Sequence, residues 1–100
     1  MKIEDNEIAY LVCCEPRVVL FGYATVVEIK KAKPTLKNCR MLVYWSVETK
    51  GVLGAAIDGP ASGSKISKAI DEWTITKKVE GYGPCSEKAV KVFESGMWDE

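Results

Sequence analysis

The sequence contains no histidine. That absence removes the Ser-His-Asp and Cys-His nucleophile pairs and the histidine-containing zinc sites. It also removes the commonest proton shuttle near neutral pH. Charge of one sign is missing too: 14 Lys+Arg stand against 14 Asp+Glu. A neutral chain has no broad electrostatic footprint for DNA or RNA polymers, so none is expected as a partner. No apolar run approaches the ~20 residues needed to span a bilayer, which argues against a membrane partner. The opening Met1-Lys2-Ile3-Glu4-Asp5-Asn6-Glu7 is acidic and polar, unlike the basic and apolar regions of a secretion signal. The chain is therefore expected in the cytosol of the cell that makes it.

The four cysteines, Cys13, Cys14, Cys39 and Cys85, form no C-x-x-C pair. Thiolate spacing for structural zinc is absent, and no metal or cofactor is expected. In a reducing compartment these thiols read as small buried hydrophobes, with a redox or disulfide role as the alternative. The acidic pairs Asp71-Glu72 and Asp99-Glu100 are adjacent in the chain. Neighbouring carboxylates do not face each other across a cleft, so no acid/base dyad is visible and no enzyme is expected.

What is present is one domain, 1–100, with 47% apolar residues. A chain this size buries roughly 60–70% of its unfolded surface, enough for one thin core. Ile8 to Cys14 reads as a strand, and Glu15-Pro16 interrupts it because proline donates nothing to a ladder. Arg17 to Glu28 resumes as a second strand, with Gly22 marking a bulge, a sharp coil or the close approach of another backbone. Lys30, Lys31, Lys33 and Pro34 form a solvated basic turn. Thr35 and Leu36 begin a short extended piece. Arg40 to Val47 is a nearly continuous apolar strand, of a kind usually covered on both faces. In so small a domain, a second subunit is a candidate cover. Gly51 to Ile57 is ambiguous between helix and strand. Gly59 to Ser64 is a loop by composition, and Trp73 to Tyr82 reads as the last long strand. Ser86 as N-cap, Glu87 in the first turn and Gly96 past the end predict a C-terminal helix. The expected fold is α+β: a curved antiparallel sheet with a C-terminal α-helix, oligomeric.

Three features invite a chemical reading. The segment from Gly59 through Lys65 to Ser67 resembles a phosphate loop but departs from G-x-x-x-x-G-K-[ST], because Ser64 separates Gly63 from Lys65. A surface loop is the simpler reading, although Lys65 and backbone amides remain able to meet an anion. Arg40, beside Lys37, Asn38 and Cys39, stands at the mouth of the apolar strand. There it can fork onto a phosphate with Asn38 reading a ribose or base edge, or serve as a solvated strand-end charge. Twelve of the fourteen basic residues are lysine, so Arg17 and Arg40 stand out as the two side chains suited to planar recognition. The nine aromatics suit core packing, with base stacking as the alternative and a subunit interface as one more for Trp98.

Several stretches taken together carry a resemblance. They are Val19-Leu20-Phe21-Gly22, Leu36 through Trp45, Ala56-Ile57-Asp58-Gly59, Ser64-Lys65-Ile66-Ser67, Ile70-Asp71-Glu72-Trp73, Cys85 through Ala89, and Met97-Trp98. In this order, from about Val12 to Trp98, the chain resembles a family of small phage and prophage proteins that includes the first-described Thoeris anti-defence sponges. The Asn38-Cys39-Arg40 to Trp45 block is the most specific part. Met41 replaces the second of the family's paired arginines, and Lys65 stands where arginine is common. The stretch from Trp45 to Gly59 is one residue longer than the family pattern. The resemblance implies a non-enzymatic phage protein in the cytoplasm of an infected bacterial host. Such a protein binds a cyclic nucleotide immune signal, a cyclic ADP-ribose isomer or a cyclic oligonucleotide, without cleaving it. It also implies a homo-oligomer, with Asn38, Arg40 and Lys65 as the matched ligand-binding positions. The alternative is a small protein-binding module that docks on a host protein through the Trp98 region.

Overall fold

In the computed structural model, which describes residues 2–98, the chain begins as a hairpin. Strand β1 (Ile8–Cys14) pairs antiparallel with β2 (Val18–Ala24), in a register running from Ile8 opposite Ala24 to Cys14 opposite Val18. The Glu15–Pro16 peptide in the connection is cis. β2 ends earlier than its apolar pattern suggests, because Val26–Ile29 forms a single helical turn, α1. Thr25 is its N-cap, and its side chain accepts a hydrogen bond from the Glu28 N–H at 3.0 Å. Thr25-Val26-Val27-Glu28 has capping-box spacing, and this local signal overrides the β propensity of the two valines.

Strand β3 (Thr35–Tyr44) is one ten-residue strand where the sequence suggested two pieces. It pairs with β2 on one side. On the other side, β5 (Ile70–Thr74) pairs with its first half and the two-residue β4 (Lys65–Ile66) with its second. The ladder between β2 and β3 slips between Phe21 and Tyr23, where Arg40 and Lys37 are the partners. The extra residue lies in β3, and Asn38 there has φ +46°. Gly22 faces this bulge; a Cβ on it would stand 2.6 Å from the Leu36 Cβ, so only glycine fits. Of the three readings of Gly22, bulge and close approach hold together.

A short 3₁₀ turn at Val47–Thr49 leads into α2 (Gly51–Asp58), which resolves the ambiguous apolar stretch as helix. The expected strand from Trp73 to Tyr82 is two strands. β5 ends at Thr74, and β6 (Val79–Pro84) pairs with β1 at the far edge of the sheet. Between them Ile75 is buried, and its N–H donates to the Pro34 carbonyl at 2.8 Å. That buried anchor is why the chain leaves the edge of β3 and crosses to β1. Helix α3 (Glu87–Glu94) is where the sequence placed it. Ser86 accepts from the Ala89 N–H at 3.1 Å, and Gly96 follows the helix at φ +70°.

The result is an α+β domain with a six-stranded antiparallel sheet and a C-terminal helix. Alternation along the strands gives the sheet two apolar faces. Val12, Leu20, Leu36 and Cys39 lie on one, with Ile29 and Ile75 packed over them. Leu11, Phe21, Leu42 and Ile66 lie on the other, under Ala55 of α2 and Phe93 of α3. Phe21 and Phe93 stack with ring centroids 4.5 Å apart and planes 9° from parallel. Leu42 in β3 is buried, whereas Met41 and Val43, on the opposite face, are 39% and 45% exposed. Within this chain, β3 is covered on one side only over that stretch. The Asp99-Glu100 pair lies outside the described residues.

Candidate functional site

The bulge at Asn38 decides where Arg40 points. Leu36 and Cys39 pack in the same cluster although three residues apart, which a regular strand does not allow. The extra residue restores alternation so that Leu42 faces the helices. Arg40, two residues before Leu42, shares its side of the strand. Asparagine suits the position because it tolerates left-handed backbone better than most residues.

Arg40 forms part of the wall of a cavity of about 650 Å³, together with Ile66, Ser67, Lys68, Gly96 and Trp98. The Arg40 Nη1 donates to the Ser67 carbonyl at 3.2 Å. Its Nε is buried and has no hydrogen-bond partner among the described residues. A guanidinium with one arm tied and one donor unsatisfied is oriented but not saturated. Ser67 is fixed by β3 in turn: its N–H donates to the Met41 carbonyl at 2.9 Å, and its Oγ accepts from the Met41 N–H at 2.8 Å.

The opposite wall comes from the chain end. The Ile66 N–H donates to the Met97 carbonyl at 2.6 Å, and Lys65 forms a β-bridge with Trp98. The Lys65 Nζ lies 5.3 Å from the Trp98 ring centroid, a cation–π distance. Trp98 remains 48% exposed, so its ring is available to a ligand. Nearby, the Tyr23 hydroxyl donates to Glu94 Oε1 at 3.2 Å. Burial, followed by the Glu94 charge, pushes this phenol up to about 12, so it stays protonated.

Of the three sequence candidates, the structure brings Arg40 to the cavity and Lys65 onto the ring that walls it. Asn38 sits in the bulge and does not line the cavity. Arg17 is exposed at the β1–β2 turn and is absent from the cavity wall. Lys68 and Gly96 are site residues that sequence reasoning missed, and Ser67 enters it only as the end of the phosphate-loop-like segment. In the sequence Gly96 signals only the end of a helix, and no pattern pairs residue 40 with residue 96. The Gly59–Ser64 loop is closed by its own polar contacts. The buried Thr49 Oγ1 accepts from the Ala61 N–H at 2.8 Å, and Ser64 Oγ accepts from the Ser46 N–H at 3.0 Å. A strand, β4, follows it, so no helix dipole aims at an anion there.

The four cysteines are free. Burial pushes the Cys39 and Cys85 thiols up to about 12, which disfavours the reactive thiolate. Among the described residues, no group of three or more Cys, Asp or Glu is arranged to hold a metal ion. Among them, too, no helix is long and apolar enough to cross a membrane.

Fold and site together define a small α+β domain with an arginine- and tryptophan-walled cavity at one edge of its sheet. A family profile described as a domain of unknown function, DUF6948, matches residues 8–93, and the chain belongs to that family. No curated protein and no solved structure matches it.

Proposed function

We propose that the protein captures a cyclic nucleotide immune signal, a cyclic ADP-ribose isomer or a cyclic oligonucleotide, and holds it without cleaving it. In this reading it is a phage anti-defence protein that works in the cytoplasm of the infected bacterial host. The observation that carries the proposal is Arg40, whose buried Nε has no hydrogen-bond partner among the described residues, on the wall of a cavity that Trp98 also lines. A diphosphate supplies the acceptor that the guanidinium lacks, and a base supplies a ring for Trp98. Lys65 and Lys68 add charge beside them. Neutral overall charge suits a small ligand held by a few placed cations better than a nucleic-acid polymer.

Capture without turnover asks for no general base or activated nucleophile, and none is needed at this cavity. The proposal includes a homo-oligomer. Met41, Val43 and Trp73 leave apolar surface exposed around β3, and a second subunit is the natural cover for it.

The test is to incubate the protein with cyclic ADP-ribose isomers, remove free ligand, denature the protein by heat and assay the supernatant. Recovery of intact signal supports capture. A degraded product means an enzyme, and no depletion removes both readings. A parallel pull-down that retains one host protein regardless of nucleotide favours docking through the Trp98 region instead.

A further inference from the structure

A second cavity shares no lining residue with the first. It is a hollow of about 520 Å³ between the α1–β3 connection, which supplies Lys30, Lys31 and Lys33, and the β5–β6 connection, which supplies Lys77 and Lys78. Five of the chain's fourteen basic residues therefore stand around one hollow in a protein with no net charge. The two connections are far apart in sequence. They are joined by the hydrogen bond from the Ile75 N–H to the Pro34 carbonyl and by the burial of Ile29 and Ile75 beneath them.

Among the described residues, no carboxylate lines the hollow. Among the described residues only Lys31 meets one, at 2.8 Å from Glu28. Gathering like charges is unfavourable unless something of opposite sign visits. All five are lysines, compact point charges that select charge density rather than the planar fork arginine recognises. Tyr82 lines the same hollow with its side chain 46% exposed.

We infer that this hollow binds a linear chain of phosphoryl groups, either free or carried by a nucleoside. Several closely spaced negative charges on a flexible chain match several lysines on two linked turns. The Tyr82 ring offers a nucleoside a surface that a bare phosphate chain does not use. The inference does not depend on the Arg40 cavity.

The experiment is calorimetric titration of the full chain with inorganic tripolyphosphate and, separately, with ATP, at about 0.15 M salt. Saturable binding of tripolyphosphate that weakens with added salt is expected. A combined Lys33→Gln, Lys77→Gln, Lys78→Gln variant should lose on the order of tenfold or more in affinity. The Lys→Arg triple should retain binding, and cyclic nucleotide capture by the Gln triple should be unchanged. Tighter binding of ATP that Tyr82→Leu abolishes assigns the chain to a nucleoside, and equal binding assigns it to free polyphosphate. Absence of saturable binding overturns the inference, as does unchanged affinity in the folded Gln triple. It is also overturned if a single-stranded oligonucleotide outcompetes tripolyphosphate at equal phosphate concentration.

Discussion

Replacing Arg40 with Met separates what the side chain does for the fold from what it does for a ligand. Methionine keeps most of the apolar stem and removes the guanidinium. For the fold, the loss is one hydrogen bond to the Ser67 carbonyl, worth about 1 kcal/mol net. Against this, Nε is buried without a partner among the described residues, and removing such a group recovers about 1–3 kcal/mol of desolvation cost. The net lies between zero and about 2 kcal/mol in favour of methionine, so R40M is expected to match wild type or exceed it by that much in a urea titration. Binding has no such compensation. Charge-assisted hydrogen bonds to a phosphate contribute about 1.5–3 kcal/mol, so calorimetry should show cyclic nucleotide affinity falling roughly ten- to a hundredfold. R40K, which keeps the charge and loses the fork, should fall between the two. Unchanged affinity in a folded R40M would refute the assignment of the site. A stability loss of several kcal/mol would show that Nε is satisfied, and that Arg40 belongs to the fold instead.

Two further predictions concern the scaffold. Gly59, at φ +83° between α2 and α3, would place a new methyl 2.6 Å from the Val92 Cβ. Gly59→Ala should therefore cost about 2–4 kcal/mol from backbone strain and overpacking together. At Gly63, φ is +90° but the nearest atom would be 3.9 Å away, so Ala there should cost only about 1–2 kcal/mol; equal losses in chemical denaturation would discount the α2–α3 contact. The second prediction is alkaline instability. Burial raises Cys39 and Cys85 from 9.0 to about 12, and burial with Glu94 raises Tyr23 from 10.0 to about 12. The folded state thus holds these protons more tightly than the unfolded chain. Their contribution is complete below pH 9 and is lost as pH climbs towards 12. Thermal melts should show Tm flat near neutrality and falling through that window. Tyr23→Phe should flatten only the upper part, and a Tm constant across it contradicts the burial of these groups.

The hairpin, the basic turn and the C-terminal helix are legible in the sequence because each is set by neighbours. Ser86, Glu87 and Gly96 act within a few residues of the backbone groups they cap. The split between β5 and β6 is not legible, because it depends on Ile75 finding Pro34, far back in the chain. The same holds for the site. Arg40 and Lys65 are visible as unusual residues, and the cavity that Arg40 lines, with Lys65 on the ring that walls it, is not. It needs the two-residue strand β4 to bring Ser67 to Met41 and Ile66 to Met97. Short strands of this kind carry too little periodicity to be read. The N-cap at Thr25 is equally local, yet Val26 and Val27 conceal it by matching the strand before them.

Asn38 is where sequence and structure give one residue two different jobs, and a pair of substitutions separates them. The resemblance makes the residue a ligand contact, yet its position is a bulge at φ +46° that does not line the cavity. If its task is to turn the strand, glycine should serve as well, since glycine takes positive φ without a Cβ penalty. Asn38→Gly should then preserve the bulge and cyclic nucleotide capture. Asn38→Val should cost about 1–2 kcal/mol, because a β-branched residue resists that conformation. It should also weaken capture, since losing the extra residue's geometry reverses the alternation that turns Arg40 and Leu42 towards the helices. Capture that falls in a stable Asn38→Gly as far as in R40M would instead put the asparagine amide on the ligand. That outcome requires β3 or a neighbouring subunit to shift when the cavity fills. Asn38→Gly thus distinguishes a site already formed in one chain from one completed only on binding.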